Sequence, residues 1–241
     1  MASNENRFDM AILFRRKDNT SAEEAKSKKA LDTILSGNGI IVISRGIYGD
    51  DLINAVRAAY DGGIRAVEVA FEQDGDLMRI GRAISSLVTH FADKMTVGAG
   101  TVLTRDQLEM AYRCGAEFIV SPNTNREIIS ATKKLLGLAS IPGATTPTEI
   151  INAFDAGADI VKIFPAGALG PAYFSSVTTP LSHIRCAAVA GVTTENIKAF
   201  KKAGACAFGI SSSILNKKQI AEGRFDLICE NARKFVEALN E

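Results

Sequence analysis

Two ionisable residues lie inside runs of apolar residues, where charged side chains are rare. Lys162 interrupts the stretch DIVKIFPAG (159–167), and Glu68 interrupts the stretch AVEVAF (66–71). Each run has the composition of a strand buried on both faces, and a lysine is almost never fully buried unless something pairs with it or uses it. Desolvation lowers the pKa of a buried lysine, so part of it is a neutral amine at pH 7.

A neutral amine in such a position attacks a ketone to form an iminium, which draws electrons from the adjacent C–C bond and lets that bond break. A nearby carboxylate, directly or through a water, takes the proton of the alcohol that is cleaved and returns one to the enamine. The two residues therefore predict a lysine nucleophile and a glutamate acid–base. The alternative interpretation is a buried structural ion pair, which is disfavoured because apolar residues of the same size usually stabilise a core as well.

Eight short apolar segments, separated by helical patterns, fill the chain from Gly39 onward. They span 40–44, 66–71, 96–99, 117–121, 139–141, 160–164, 186–190 and 207–210. Strands that are apolar throughout and alternate with helices are typical of a parallel sheet covered by helices. Eight units in about 200 residues predict an α/β protein with a closed (β/α)8 barrel, and an open doubly wound sheet is the alternative. Glu68 and Lys162 belong to the second and sixth strands, so they should face each other across one pocket.

The domain organisation is predicted to be simple. Residues 22–241 form one barrel domain, which includes a helix at 22–35 packed against its base, and residues 1–21 form an N-terminal extension. This extension has acidic residues before a short apolar run and basic residues after it, the wrong order for a signal peptide. We expect it to be mobile or loosely docked, with no assigned function.

Composition and charge exclude several classes of protein. The formal net charge is +1 with 23% charged residues, which gives no electrostatic case for binding nucleic acid or an acidic membrane surface. No segment reaches the about 18 apolar residues of a membrane span. The four cysteines never occur as C-x-x-C, so we expect reduced thiols in the cytoplasm. His90 and His183 lie away from the strand ends, so we expect no metal and no other cofactor.

Small and polar residues follow several of the strands. Gly191 follows the seventh strand, and Ser211 and Ser212 follow the eighth, where barrels often bind phosphate. Helices that start at Thr193 and at about Ser212 would direct their positive dipole ends toward the same place. The same small residues also suit plain tight turns, so this pattern alone does not decide between the two.

Two further polar residues lie at strand ends. The hydroxyl of Thr101, after the third strand, can hold a carboxylate or carbonyl oxygen. Arg45, after the first strand, can form a bidentate clamp on a carboxylate or phosphate, although a lone arginine is as often a surface residue.

Seven segments, in this order and spacing, resemble the 2-keto-3-deoxy-6-phosphogluconate / 4-hydroxy-2-oxoglutarate aldolase family, class I aldolases on a (β/α)8 barrel. They are VEVAF, GAGTVL, SPNT, IPGATTPTE, DIVKIFPAGALGP, AVAGVTTEN and AGACAFGISSS, and the resemblance covers about residues 31–239. It implies that Lys162 forms the Schiff base with pyruvate and that Glu68 is the acid–base. It also implies that Thr101 and nearby backbone hold the keto-acid carboxylate and that Pro122 lines the pyruvate pocket. We expect Phe164, beside the lysine, to contact the substrate, and the resemblance further implies a homotrimer that needs no metal.

Two positions depart from the family pattern. Glu72 stands four residues after Glu68, where many members have an arginine that grips the substrate carboxylate, and it would repel that group if it pointed inward. Related aldolases that act on the galactonate-derived substrate also lack this arginine. The segment Val189 to Gly191 reads VAG where many members have TGG, which removes one hydroxyl donor and one glycine. Arg45 matches a family arginine and would compensate for either loss.

These observations predict an aldolase that cleaves a 2-keto-3-deoxy-6-phospho sugar acid to pyruvate and glyceraldehyde 3-phosphate. One alternative is the same chemistry on an unphosphorylated 4-hydroxy-2-oxoglutarate-type substrate. The other is a catalytically silent protein that binds a keto acid or sugar phosphate.

Overall fold

The computed structural model describes residues 20–73 and 75–240. The predicted extension therefore lies outside the described residues, except for its last two positions, which belong to the first helix. This helix, α1 (Thr20–Ser36), confirms the one predicted at 22–35. Ile34 is buried among the residues that fill the barrel, and Leu31 and Leu35 pack against the same cluster, so α1 closes the base of the barrel.

Within the described residues, nine parallel strands form one sheet. They are β1 (Ile40–Ser44), β2 (Ala66–Ala70), β3 (Thr96–Gly100), β4 (Phe118–Val120), β5 (Ala139–Ile141), β6 (Gly143–Ala144), β7 (Val161–Ile163), β8 (Cys186–Val189) and β9 (Ala205–Ile210). Their hydrogen-bonded order is β5-β4-β3-β2-β1-β9-β8-β7-β6. The two edges of the sheet are thus β5 and β6, which are consecutive in the chain.

Pro142 alone separates these two edge strands. It has no N–H to donate, so it ends the ladder of β5, whose bounds are those of the predicted fifth strand at 139–141. Its carbonyl still accepts the N–H of Lys162 at 2.8 Å, and β5 pairs with β4 while β6 pairs with β7. β6 was not predicted, and together with β5 it fills the fifth position of the barrel. The sheet is therefore nearly closed, and the (β/α)8 barrel is confirmed over the open sheet.

Helices cover the outside of the barrel. They are α2 (Gly49–Asp61), α3 (Leu77–Phe91), α4 (Arg105–Arg113), α5 (Arg126–Ser130), α6 (Pro147–Asp155), α7 (Ala166–Thr178), α8 (Ile197–Lys202), α9 (Lys217–Ala221) and α10 (Phe225–Asn240). A π-helical turn (Ala131–Leu135) extends α5, and a 3-10 turn (Thr179–Leu181) extends α7. In the described ranges none of these helices is long and apolar enough to cross a membrane.

The register of the strands decides which side chains share the interior. Glu68 is paired with Ile43 on β1 and with Gly98 on β3, so these three residues project to the same face. Ile43 belongs to the apolar cluster that fills the barrel, which also contains Phe118 and Val189. A second and larger apolar cluster lies between the strands and the helices. Glu68 therefore faces the interior of the barrel.

One backbone conformation carries a measurable cost. Ala190 has φ of 69°, in the left-handed region that disfavours every residue with a Cβ. A glycine at this position would relieve the strain, although it would also raise the conformational entropy of the unfolded chain. Because the relief of strain is the larger effect, we expect Ala190→Gly to raise the free energy of unfolding by about 0.5–1 kcal/mol. Urea denaturation measures the change. Ala203, which caps α8 with φ of −74°, is the matched control, and Ala203→Gly should lower stability. A lower stability for Ala190→Gly would contradict the strain.

Candidate active site

Lys162 lies in the middle of β7, between Gly143 on β6 and Ala187 on β8. These small neighbours leave room for its long side chain, which remains only 6% exposed. Its ammonium lies 4.8 Å from the centroid of the Phe164 ring. Burial lowers the pKa of Lys162; the Glu68 carboxylate acts in the opposite sense, and Arg45 lowers it further.

Glu68 lies at the centre of β2 and is 3% exposed. Burial raises the pKa of its carboxyl, while Lys162 and Arg45 act to lower it. The carboxylate reaches over the Cα of Gly100, the last residue of β3, where a Cβ would stand 1.6 Å from Oε1. Only glycine fits at this position, so Gly100 of the GAGT segment leaves the space that the carboxylate occupies.

Lys162 and Glu68 each influence the pKa of the other, as expected for two groups that face one pocket. Both lie in the described part of the chain, where neither a hydrogen bond nor an ion pair joins them. Their charged atoms are thus too far apart for a structural ion pair, and the alternative interpretation loses its support. The gap between them is where reacting atoms can lie.

Arg45 ties together the ends of three strands. Its Nη1 donates to the Phe71 carbonyl at 3.2 Å, and its Nη2 donates to the Thr101 hydroxyl at 2.7 Å. Thr101 has φ of 56°, and the side chain of Gln73 donates to its carbonyl at 3.1 Å. Gln107 in turn donates to Gln73 at 3.0 Å. The sequence identified Arg45 and Thr101 but missed the two glutamines, of which only Gln107 carried a signal, as part of a capping box.

Pro122 and Phe164 lie on the same side of the barrel as the lysine. The Pro122 carbonyl packs against Gly143, where a Cβ would stand 2.3 Å from it. The Phe164 carbonyl accepts the Thr145 hydroxyl at 2.8 Å. Both predicted residues are half-buried and lie beside β6 and β7, which brings them to the surroundings of Lys162.

The loop after β8 differs from the prediction. Gly191 is packed against the backbone of Gly167, whose Cα would stand 2.8 Å from a Cβ on Gly191. The Asn196 side chain donates to the Gly191 carbonyl at 2.9 Å and accepts the N–H of Thr193 at 2.8 Å. The helix predicted to start at Thr193 is therefore wrong: this Asn196-centred turn comes first, and α8 begins at Ile197.

The loop after β9 contains the two predicted serines, both exposed. The Ser211 hydroxyl donates to the Ile43 carbonyl at 3.0 Å, which joins the ends of β9 and β1. The helix predicted to start at about Ser212 is also wrong. The Leu215 N–H instead bonds to the Ser211 carbonyl in a turn, and α9 begins at Lys217.

A cavity of about 310 Å³ opens at the ends of β1 and β9. Its polar lining includes Arg45, Ser211, Ser212, Lys217 and Lys218, and among the described residues no acidic side chain lines it. Three cations and two hydroxyls suit an anion such as a phosphate. The sequence missed the two lysines because a pair of lysines at the start of a short helix is typical of a solvated surface.

Glu72, at the position of the family arginine, forms a hydrogen bond with a neighbouring tyrosine. The Tyr48 hydroxyl donates to its Oε2 at 2.6 Å, and the Arg79 guanidinium lies 3.8 Å from the centroid of the Tyr48 ring. Burial and then the hydrogen bond to Glu72 raise the pKa of Tyr48 to about 12. The phenol therefore stays protonated and remains a donor to the carboxylate at neutral pH.

Comparison with known proteins finds relatives along most of the chain. Residues 32–230 match the family model described as KDPG and KHG aldolase. The 2-dehydro-3-deoxy-6-phosphogalactonate aldolase of Escherichia coli K12 is 35% identical over 203 residues, which cover 84% of this chain and 95% of the relative. A 2-dehydro-3-deoxy-phosphogluconate aldolase of Treponema pallidum is 35% identical over 61% of this chain and 68% of the relative.

Solved structures show the same fold. A native KDPGal structure is 34% identical with a TM-score of 0.75, over 83% of this chain and 94% of that one. The KDPG aldolase of Legionella pneumophila, solved with pyruvate captured as a covalent carbinolamine, is 23% identical with a TM-score of 0.72 and covers 83% of this chain and 95% of that one. The resemblance seen in the sequence segments is thus confirmed by the family model and by these relatives: the chain belongs to the KDPG and KHG aldolase family.

Proposed function

We propose that this protein is a class I aldolase that cleaves a 2-keto-3-deoxy-6-phospho sugar acid, of the phosphogluconate or phosphogalactonate type, to pyruvate and glyceraldehyde 3-phosphate. The observation that carries this proposal is that Lys162 and Glu68 are both buried and influence each other's pKa, yet form no ion pair. Burial shifts the pKa of each toward its neutral form, as a lysine nucleophile and a carboxyl acid–base require. The 35% identity to the E. coli phosphogalactonate aldolase supports the substrate class.

The two residues divide the chemistry between them. The neutral amine of Lys162 attacks the C2 ketone, and loss of water leaves an iminium. Glu68 takes the proton of the C4 hydroxyl, the C3–C4 bond breaks, and its electrons pass into the iminium to form an enamine while the aldehyde leaves. The enamine then takes a proton at C3, and water hydrolyses the resulting iminium to release pyruvate and the free lysine. A carboxyl whose pKa is raised serves both proton transfers near neutral pH.

Arg45 and Thr101 are proposed to hold the carboxylate of the keto acid. The Thr101 oxygen accepts a hydrogen bond from Arg45 at 2.7 Å, which leaves its own O–H free to donate. Arg45 also acts as a determinant of the pKa of both Lys162 and Glu68, so it adds positive charge close to the reacting centre. It thereby supplies the function of the arginine that Glu72 replaces. Pro122 and Phe164 would line the pocket around the methyl group of pyruvate.

The cavity lined by Arg45, Ser211 and Ser212 is proposed to hold the 6-phosphate, with Gly191 at its edge. Its positive lining favours the phosphorylated substrate, whereas the VAG segment favours the alternative, an unphosphorylated 4-hydroxy-2-oxoglutarate-type substrate. The family resemblance supports a homotrimer, and the free state of the four cysteines is consistent with a cytoplasmic protein.

The exchange of pyruvate methyl protons in D2O, followed by NMR, tests the nucleophile and the acid–base without any aldehyde. Enamine formation exchanges these protons, so we expect Lys162→Ala to slow exchange by at least about 10³-fold. Glu68→Gln should slow it by about 10²- to 10³-fold because proton transfer is lost while the amine remains. Glu72→Gln, which alters a carboxylate bonded to Tyr48, is the control and should exchange within a few-fold of the wild type. Full exchange by a folded Lys162→Ala variant would disprove the mechanism.

The pH dependence of lysine modification tests the electrostatics of the pair. Acetic anhydride modifies only the neutral amine, so the labelling of Lys162 should rise with an apparent pKa below its ordinary value of 10.5. The Glu68 carboxylate raises the pKa of Lys162, so Glu68→Gln should move this rise to lower pH. Peptide mass spectrometry measures the labelling, with the exposed Lys202 as internal reference and Glu72→Gln as a variant without effect. A shift to higher pH in Glu68→Gln would contradict the coupling.

A further inference from the structure

We propose that Lys217 is a specificity-determining residue that binds the phosphate group of the substrate. The proposal rests on the aldolase function proposed above and assigns its preference for a phosphorylated substrate to a residue that no sequence pattern identified. Lys217 is exposed at the first position of α9, and it lines the cavity of about 310 Å³ together with Arg45.

The loop after β8 offers few hydrogen-bond donors to the phosphate of the substrate. The Ala190 carbonyl accepts the N–H of Gly167 at 2.7 Å, and the backbones of Gly167 and Gly191 are in contact. The Gly191 carbonyl is bonded to Asn196, and Val189 has no hydroxyl to donate. The loop is thus held by its own contacts, and it offers a phosphate fewer donors than a threonine followed by two glycines would.

The other side chains of the cavity are partly committed. The Ser211 hydroxyl proton is used on the Ile43 carbonyl at 3.0 Å. Arg45 donates from one nitrogen to the Phe71 carbonyl and from another to the Thr101 hydroxyl, at the position proposed above for the substrate carboxylate. A phosphate with close to two negative charges needs a further cation for charge-assisted hydrogen bonds.

The position of the Lys217 ammonium matches this need. Its Nζ lies against Gly46, the residue after Arg45, where a Cβ would stand 2.8 Å from it. The side chain therefore reaches from α9 across to the end of β1, which places a positive charge at the mouth of the cavity. In the described ranges Lys217 forms no ion pair, so its charge is available to a ligand. The Glu72 carboxylate lies near the same point, with Oε1 at 3.1 Å from that Cβ, and its charge attracts the ammonium toward Gly46.

Steady-state kinetics with two substrates test the assignment. Lys217→Ala should raise KM for 2-keto-3-deoxy-6-phosphogalactonate about tenfold with kcat little changed, because a charge-assisted hydrogen bond to a group remote from the reaction is lost. KM for the unphosphorylated 2-keto-3-deoxygalactonate should stay the same, and Lys217→Arg should restore most of the affinity for the phosphorylated substrate. Equal effects on both substrates, or none on either, would overturn the proposal.

Calorimetric titration of the full chain with inorganic phosphate gives a readout apart from catalysis. The wild type should bind phosphate, and Lys217→Ala should bind it about tenfold more weakly. Lys28→Ala, which removes the same charge from an exposed position on α1 at the opposite end of the barrel, should bind like the wild type. Unchanged phosphate binding by Lys217→Ala would overturn the proposal. If pyruvate proton exchange is normal in that case, the aldolase function stands and only the role of Lys217 fails.

Discussion

The interior of this barrel holds an ammonium and a carboxylate that do not form an ion pair, and most other features of the site serve to keep them there. Removing each charge from water costs several kcal/mol, which is why burial is the largest influence on the pKa of both Lys162 and Glu68. A direct ion pair would offset part of this cost but would fill the space that a substrate needs. The surrounding fold must therefore hold two partly neutral groups apart. That arrangement lowers the stability of the fold but keeps both groups reactive. Natural proteins tend to accept such a loss of stability at functional sites.

Small residues at the strand ends provide this separation. Because Gly100 has no side chain, the Glu68 carboxylate can occupy the space over its Cα. Gly143 lies beside Lys162 on the short strand that follows Pro142. Below them, large apolar residues such as Phe118 fill the barrel and fix the strands in register, and α1 closes the base. Arg45 then joins the ends of β1, β2 and β3 above the pair. The scaffold is thus tightly packed at the bottom and open at the top, as expected for a barrel whose chemistry lies at the carboxyl ends of its strands.

The elements that depend on local pattern could be predicted from the sequence. The eight predicted strand segments and the interior positions of Glu68 and Lys162 follow from apolar periodicity and from alternation around a barrel. The starts of α8 and α9 could not be predicted because side chains such as Asn196 satisfy the preceding backbone and delay the helix. The lysines of the cavity were missed for a different reason. Lys217 meets Gly46 only through a contact between residues far apart in the chain, which leaves no trace in local sequence.

The proposed mechanism requires that Lys162 acts as the nucleophile toward a keto acid. Borohydride reduction of the protein in the presence of pyruvate, followed by mass spectrometry of the intact chain and its peptides, tests it most directly. We expect one reduced pyruvyl adduct per chain, located on Lys162, with the other lysines unmodified. A folded protein that gains no adduct, or gains it on another lysine, would contradict the role of Lys162 as nucleophile.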